Sequence, residues 1–404
     1  MTHLNDDLNS IEQVVGNLQE FQSESSWEIF NSKVLEMLRQ LSFEILRDKR
    51  AKNFPDLISL GFAIRPANIH VYQGMFPLDL PRKGRGKTFH ITPANVPLNF
   101  AFSYVYALLA GNPSCIRLSS KSFPQVELFN EILANILSEV KFEFIRKSTC
   151  FIRYPHEKKI TDYLSSTCDV RIIWGGDLTI NEIRKSILPI GTIDVAFPDR
   201  YSFSLLNAEY MQKIDEKELN LMIESFFTDA YLFDQKGCSS PKLICWMGSE
   251  QQVLEASQIF WPKFRVLANS RYDLQMKNSI DKFVDVCVLA SSSFSLNEID
   301  ISDNYLSVVS VDLDSGLIGQ FQGQFGTFLQ CRISDWSELQ LIVSRKFQTM
   351  TYFGFEVNLL RQQLMSLPLK GIDRVVPVGQ AFDISMIWDG INFVETLSRI
   401  VEFK

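Results

Sequence analysis

From residue 88 onward the chain alternates between two hydrophobic rhythms. Short apolar runs give way to longer stretches whose apolar positions recur every three or four residues, the signatures of a buried strand and an amphipathic helix. The alternation predicts strands at 88–92, 115–118, 150–154, 170–174 and 192–197, with helices at 93–110, 123–140, 158–166 and 178–187. In the helix at 123–140, Val126, Phe129, Leu133, Ile136, Leu137 and Val140 form one stripe, and Gly111-Asn112 stops the helix before it. Strand and helix in strict turn indicate a parallel sheet covered on both faces, and such sheets bind ligands beyond the carboxyl ends of their strands.

A second α/β pattern begins near Tyr201. It predicts strands at 242–247, 284–290 and 306–311 and helices at 216–228 and 250–267, and helical periodicity returns at 336–348. Residues 374–404 mix a Pro/Gly turn with a closing helix. The first fifty residues read as helical, with Trp27, Phe30, Val34, Met37, Leu38 and Leu41 at helical spacing. Residues 77–87, rich in Pro, Gly, Arg and Lys, read as an exposed loop. The division expected is an N-terminal helical region at 1–75, α/β domains at 76–205 and 206–372, and a C-terminal segment at 373–404.

Composition narrows the function. A length of 404 residues suits two or three domains. A net charge of −7 argues against nucleic-acid or anionic-membrane partners, which need a basic face. The start, Met1-Thr2-His3-Leu4-Asn5-Asp6-Asp7, is polar and acidic, so no cleavable signal is expected. The longest apolar stretch, 96–110, is broken by Asn99 and Ser103 and is too short for a membrane span. Seven cysteines with no CxxC pair fit a reducing cytoplasm. Four scattered histidines and no HExxH leave no metal site to expect.

Four segments have candidate chemistry. Asn95, where the first strand meets its helix, is either a helix cap or an amide donor for an oxyanion. The loop Arg117-Leu118-Ser119-Ser120-Lys121 follows the second strand. In doubly wound sheets an acid there favours NAD and a base accommodates a 2′-phosphate, so the segment is either a cofactor contact, in which case Arg117 and Lys121 favour NADPH, or a plain solvated loop. Gly175-Gly176-Asp177 ends a strand and starts a helix. It is either a turn that admits a pyrophosphate or an ordinary turn capped by Asp177. Cys238 stands in a polar turn, Asp234-Gln235-Lys236-Gly237-Cys238-Ser239-Ser240-Pro241, with Lys236 near enough in sequence to favour the thiolate. It is either a nucleophile or an idle loop thiol.

In order along the chain, these segments resemble one family. The matching text is 90–100 (His90-Ile91-Thr92-Pro93-Ala94-Asn95-Val96-Pro97-Leu98-Asn99-Phe100), Leu109-Ala110-Gly111-Asn112, Gly175-Gly176-Asp177 and 196–203. It continues through 231–235, Gly237-Cys238-Ser239-Ser240-Pro241, 373–381 and Trp388-Asp389-Gly390. The family is the long-chain acyl-CoA reductases of bacterial luminescence (LuxC-like), a branch of the aldehyde dehydrogenase superfamily, and the resemblance runs from about residue 60 to the end.

It implies an aldehyde dehydrogenase-like α/β fold, with a Rossmann-type dinucleotide-binding domain at 76–205 and an α/β catalytic domain bearing the thiol at 206–372. Cys238 matches the nucleophile and Asn95 the oxyanion-hole asparagine. Thr92, Pro93, Arg117, Ser119, Lys121, Gly175, Gly176 and Thr179 fall where NADPH is expected. Two departures from ordinary aldehyde dehydrogenases stand out. The stretch 194–198 lacks the glutamate that activates a deacylating water, and Gln322-Gly323-Gln324-Phe325-Gly326 lacks the ribose-binding glutamate, leaving Gln324 as its candidate substitute.

The activity implied is NADPH-dependent reduction of a fatty acyl thioester to the aldehyde through an acyl-cysteine. The implied donor is acyl-CoA or an acylated partner, such as an acyl-protein synthetase, and a homo-oligomer is expected. The alternatives are an acyltransferase or thioesterase using the same cysteine, which needs a base such as His90, and a nucleotide-binding subunit without turnover. The 32 phenylalanines read mostly as core.

Overall fold

A computed structural model describes residues 10–77, 80–93, 96–155, 157–291 and 296–404. The chain divides into two compact units, Met1–Pro198 with Ile384–Lys404, and Asp199–Asp383. The sequence pattern sets boundaries at 205/206 and 372/373 and holds residues 1–75 apart. Instead, the helix Ser32–Arg47 buries Val34, Met37, Leu38, Leu41 and Ile45 in the same core as Tyr104, Phe129 and Leu133.

The first unit holds a six-stranded sheet of β1 (Glu12–Gly16), β2 (Thr88–Ile91), β3 (Ser114–Arg117), β4 (Thr149–Arg153), β5 (Val170–Trp174) and β6 (Ile193–Phe197). Its order is β1-β4-β3-β2-β5-β6, and only β1 runs antiparallel to its neighbour. The chain lays β2, β3 and β4 outward, then returns to the far side of β2 for β5 and β6. The reversal between β2 and β5 is the topological switch point, where a crevice opens beyond the carboxyl ends. Every residue of β2 and β5 is buried, as interior strands covered on both faces require.

Several expectations in this unit are corrected. The first fifty residues contribute the edge strand β1 as well as helices. The helix expected from 93 spans Asn99–Leu109, because Pro97 has no N–H to give and disfavours helical backbone in the residue before it. The basic stretch 77–87 is not wholly a solvated loop. Arg82–Gly84 pairs antiparallel with Ser398–Ile400, and Arg82 donates to the Ser398 hydroxyl and the Glu395 carbonyl, each at 2.8 Å. The closing helix Phe393–Leu397 brings Phe393 onto Phe197, ring centroids 5.1 Å apart, and Phe197 stacks on Trp174 at 3.9 Å.

The second unit holds a seven-stranded sheet of β7 (Tyr201–Asn207), β8 (Pro241–Met247), β9 (Leu296–Asp300), β10 (Ser307–Val311), β11 (Thr327–Ile333), β12 (Phe347–Phe353) and β13 (Arg374–Pro377), in the order β9-β10-β11-β8-β7-β12-β13. β9 alone is antiparallel, so β7, β8, β11 and β12 begin side by side at one edge. The strand expected at 284–290 belongs instead to the helix Met276–Ser291. Its alternating valines imitate a strand, yet its buried residues Lys282, Val286 and Leu289 fall at helical spacing. The helix expected at 336–348 shrinks to the short turns Trp336–Glu338 and Leu339–Ile342, and β12 begins at Phe347.

Candidate active site

The chemistry-bearing residues fall into two groups, one in each unit. In the second unit, Cys238 occupies the turn that feeds β8, at the amino edge of the sheet. The turn Gly237-Cys238-Ser239-Ser240 closes on a bond from the Ser240 N–H to the Gly237 carbonyl. The Ser202 hydroxyl, on β7, donates to the Cys238 carbonyl at 2.6 Å. A Cβ added to Gly237 would stand 2.6 Å from the Phe382 ring, so a larger residue there would have to displace that ring.

One buried side chain, Gln235, ties this turn to the loop 323–327. Its amide nitrogen donates to the carbonyls of Pro241 and Thr327, and its oxygen accepts from the N–H groups of Gly326 and Thr327, all at 3.0 Å. The Phe325 N–H adds a bond to the Asp234 carbonyl at 3.0 Å. Asp234, Gln235 and Phe325 all adopt positive φ, at 54°, 61° and 54°. Non-glycine residues held in that region are strained and gather at functional sites.

Two buried lysines clamp the same loop. Lys242 donates to the Gly323 carbonyl at 2.9 Å, and Lys282 donates to the Asn304 and Gly326 carbonyls at 3.0 and 3.3 Å. Burial pushes both amines down to about 7. Lys236, the basic neighbour visible in sequence, is exposed and lies over the Phe325 ring at 4.1 Å. Gln324, the candidate ribose contact, donates to the Asp285 carboxylate at 2.8 Å. Gln235, Lys242 and Asp285 escape a sequence reading because nothing local marks a residue that is buried by segments far along the chain.

In the first unit, an open cleft of about 430 Å³ lies beyond the carboxyl ends of the sheet, lined by Ile91, Arg117, Lys158, Thr179 and Glu182 among others. The Thr92 hydroxyl donates to the Arg117 carbonyl at 3.0 Å, joining the ends of β2 and β3. The Arg117 guanidinium lies 4.7 Å from the centre of the Tyr154 ring. Gly175 and Gly176 follow β5, and Gly176 rather than Asp177 is the residue that caps the helix Asp177–Ile183. Pro93 is half-buried beside Thr92, the Ser119 hydroxyl accepts from the Lys121 N–H, and Lys121 is exposed. Glu157 and Glu182 also face this cleft, acids that the loop after β3 lacks. Asn95 lies outside the described residues.

His90 sits in the middle of β2 and is fully buried. Its nitrogens meet the Thr88 hydroxyl at 2.8 Å and the Ser103 hydroxyl at 2.7 Å, and burial pushes its pKa down to about 3. Asp194, in the stretch without the water-activating glutamate, is held by Arg171 and Arg184, each at 3.0 Å. Of the remaining cysteines, Cys115, Cys150, Cys168, Cys245 and Cys331 are buried and Cys287 is exposed on the helix Met276–Ser291. Among the described residues no cluster of His, Cys, Asp or Glu could hold a metal, and no helix is long and apolar enough to cross a membrane.

A doubly wound sheet with a switch-point cleft, joined in one chain to a second parallel sheet bearing a cysteine turn at its amino edge, defines an aldehyde dehydrogenase fold. Solved structures agree. A 1-pyrroline-5-carboxylate dehydrogenase matches with a TM-score of 0.68 at 10% identity, covering 99% of this chain and 85% of that one. A glyceraldehyde-3-phosphate dehydrogenase from Methanocaldococcus jannaschii, complexed with NADP, matches with a TM-score of 0.64 at 13% identity, covering 99% and 93%.

Residues 80–400 match the family of acyl-CoA reductases (LuxC), and the chain belongs to that family. A long-chain acyl-protein thioester reductase of Photorhabdus luminescens is 24% identical over 328 residues, which are 79% of this chain and 63% of the relative. A protein of the same name from Photorhabdus laumondii is 22% identical over 327 residues, with the same coverage. The chain thus spans 63% of the length of these curated relatives.

Proposed function

We propose that this protein reduces a fatty acyl thioester to the aldehyde, carrying the acyl group on Cys238. The observation that carries the reading is the cysteine turn at the head of β8, fixed by Gln235 and Ser202 and strained at Asp234 and Gln235. The Cys238 thiolate attacks the thioester carbonyl and expels the thiol of the donor. The Cys238 N–H would hold the oxyanion, and the family resemblance assigns the second donor to the Asn95 amide. NADPH supplies the hydride when bound, and the oxyanion then collapses to release aldehyde and thiolate. Each oxyanion donor is worth roughly a hundred- to a thousand-fold in rate.

The cofactor assigned to the first unit is NADPH. A cleft at the switch point of a doubly wound sheet suits a dinucleotide segment, and this one is lined by Arg117 and Thr179. Thr92, Pro93, Gly175, Gly176 and Thr179 would hold the phosphates, and Arg117, Ser119 and Lys121 would take the 2′-phosphate end. Gln324, bound to Asp285, would be the candidate for the ribose contact that the resemblance leaves without its glutamate. The acyl donor is acyl-CoA or an acylated partner protein, the name of the Photorhabdus relatives favouring the second, and the assembly we propose, on the family resemblance, is a homo-oligomer.

A hydrolase using the same cysteine is disfavoured. It needs a base for water, but His90 is buried, hydrogen-bonded at both nitrogens and held neutral, and Asp194 is engaged by two arginines. The test is to mix the protein with tetradecanoyl-CoA and NADPH, follow loss of reduced-nicotinamide absorbance and trap aldehyde, with Cys238→Ser alongside. Aldehyde from the wild type alone supports the reading. Free acid instead of aldehyde, or labelled acyl retained by Cys238→Ser, overturns it.

A further inference from the structure

Ser202 stands where β7 falls out of register with both of its neighbours. On one side Ser202 pairs with Pro241 and Phe203 with Leu243, so β8 carries an extra residue, Lys242. On the other, Tyr201 pairs with Phe347 and Phe203 with Met350, so two residues of β12, Gln348 and Thr349, oppose Ser202. Bulges of this kind interrupt the ladder, re-aim the chain beside them and gather next to active sites. Pro241 has no N–H to give, which weakens the ladder further at the head of β8. The buried Ser202 hydroxyl bridges the gap. It accepts from the Thr349 N–H at 3.3 Å and donates to the Cys238 carbonyl at 2.6 Å.

The two peptide planes that flank Cys238 are thereby held from different directions. The plane before it is held within the turn, by the bond from the Ser240 N–H to the Gly237 carbonyl at 3.1 Å. In a trans peptide the C=O and N–H point opposite ways, so this bond also sets the direction of the Cys238 N–H. The plane after Cys238 is held by Ser202, across from β7. With both planes fixed, the Cys238 side chain leaves the backbone in one set direction.

We propose that Ser202 is a positioning residue that aims the Cys238 sulfur at the thioester carbon, acting through the Cys238 carbonyl and anchored by the Thr349 N–H of β12. This rests on the reading of Cys238 as the acyl carrier. In that step the thiolate gives an electron pair to form a C–S bond to the acyl carbon, and the donor sulfur leaves as a thiolate with the pair of the bond that breaks. A misplacement of about 1 Å costs such a step about a hundred-fold, whereas a small alkylating agent can approach the sulfur from many directions. Loss of the Ser202 hydroxyl slows acyl transfer and leaves the ionisation and access of the thiol as they were. Ser204 gives the matched comparison. It lies two residues further along β7, so on the same face, is equally buried, and its hydroxyl is bonded to the Thr351 hydroxyl at 2.6 Å.

The test is acyl-enzyme formation from labelled tetradecanoyl-CoA by the full chain without NADPH, in single turnovers over a range of acyl-CoA concentrations. Alkylation of Cys238 by iodoacetamide is read in parallel by peptide mass spectrometry. Ser202→Ala should lower the maximal acylation rate roughly 10–100-fold, with half-saturation by acyl-CoA and the alkylation rate unchanged. Ser204→Ala should lose a similar share of thermal stability and acylate at the wild-type rate. Wild-type acylation by a folded Ser202→Ala protein, or an equal fall in acylation and alkylation, overturns the proposal. Should Ser202→Ala fail to fold, Ser202→Cys, whose S–H is only a weak donor, takes its place. Slowed acylation with alkylation of Cys238 intact then supports the proposal, and acylation at the wild-type rate overturns it. Failure of the reductase reading looks different: wild-type Cys238 takes no acyl label while its alkylation proceeds normally.

Discussion

Gln235 shows how much a single side chain can fix. Its amide makes four hydrogen bonds, two given and two received, and joins the cysteine turn to the loop 323–327. Gln235→Ala would remove all four bonds from a buried turn, and of the groups it serves the Thr327 N–H keeps a bond to the Gln324 carbonyl at 3.1 Å. Urea denaturation should show a loss of roughly 2–4 kcal/mol, and a loss below about 0.5 kcal/mol would mean that water replaces the amide. His90 makes the opposite case. His90→Phe should lower stability by about 1–3 kcal/mol and leave acylation of Cys238 intact, since the imidazole serves the core. A folded His90→Phe protein unable to form the acyl-enzyme would restore histidine as a base. The partly exposed position of Cys238 was legible in the sequence because a cysteine in a polar, glycine-bearing turn contrasts with the five that are buried. Lys242 was not, because a lysine beginning a strand looks the same whether it faces water or the Gly323 carbonyl.

Elements differ in what they reveal. Strands with continuous apolar runs were legible to within a residue or two, as for β5 at 170–174, because burial on both faces leaves little choice of residue. The run at 284–290 misled because alternation over seven positions satisfies a strand, while the helix that contains it declares itself only over sixteen. Loops are least legible, and the loop 323–327 is the telling example. Gly323 admits no side chain, since a Cβ there would lie 2.2 Å from the Thr327 carbonyl oxygen. Gly323→Ala must therefore displace the loop, and with it the acceptor of Lys242. Aldehyde formation should drop roughly 10–100-fold, measured at saturating acyl-CoA and NADPH, with the melting temperature moving far less. Equal losses in rate and in folded fraction would show that the loop serves stability alone.

At the scale of the whole molecule, Lys242, Lys282 and Asp229 of the second unit are buried ionisable groups whose neutral forms burial favours. Lys242 and Lys282 have pKa values lowered from 10.5 to about 7, and that of Asp229 is raised from 3.8 to about 7, in each case chiefly by burial. Between about 7 and 10.5 the unfolded chain holds protons that the folded lysines lack, so stability rises with pH there and is lost as pH falls through 7. The stabilisation from Asp229 is present below 3.8 and disappears as pH rises through 7. These groups together place a minimum of unfolding free energy near pH 7. Denaturation at pH 7 and pH 9 should show a gain, of up to about 1.4 kcal/mol per pH unit for each lysine, and Lys242→Met should remove about half of it. A flat profile in the wild type would show that the lysines are solvated. The two-unit organisation was legible from the returning strand–helix rhythm, but its true seams were not. Nothing in the periodicity tells that Ile384–Lys404 goes back to the first unit. That return has a consequence for biosynthesis. As the chain leaves the ribosome, the first sheet must wait, with Trp174 and Phe197 lacking Phe393, until the whole of the second unit has been translated. The nascent protein thus passes through a stage with one finished unit and one incomplete unit, and chaperones and proteases would find their target in the part made first.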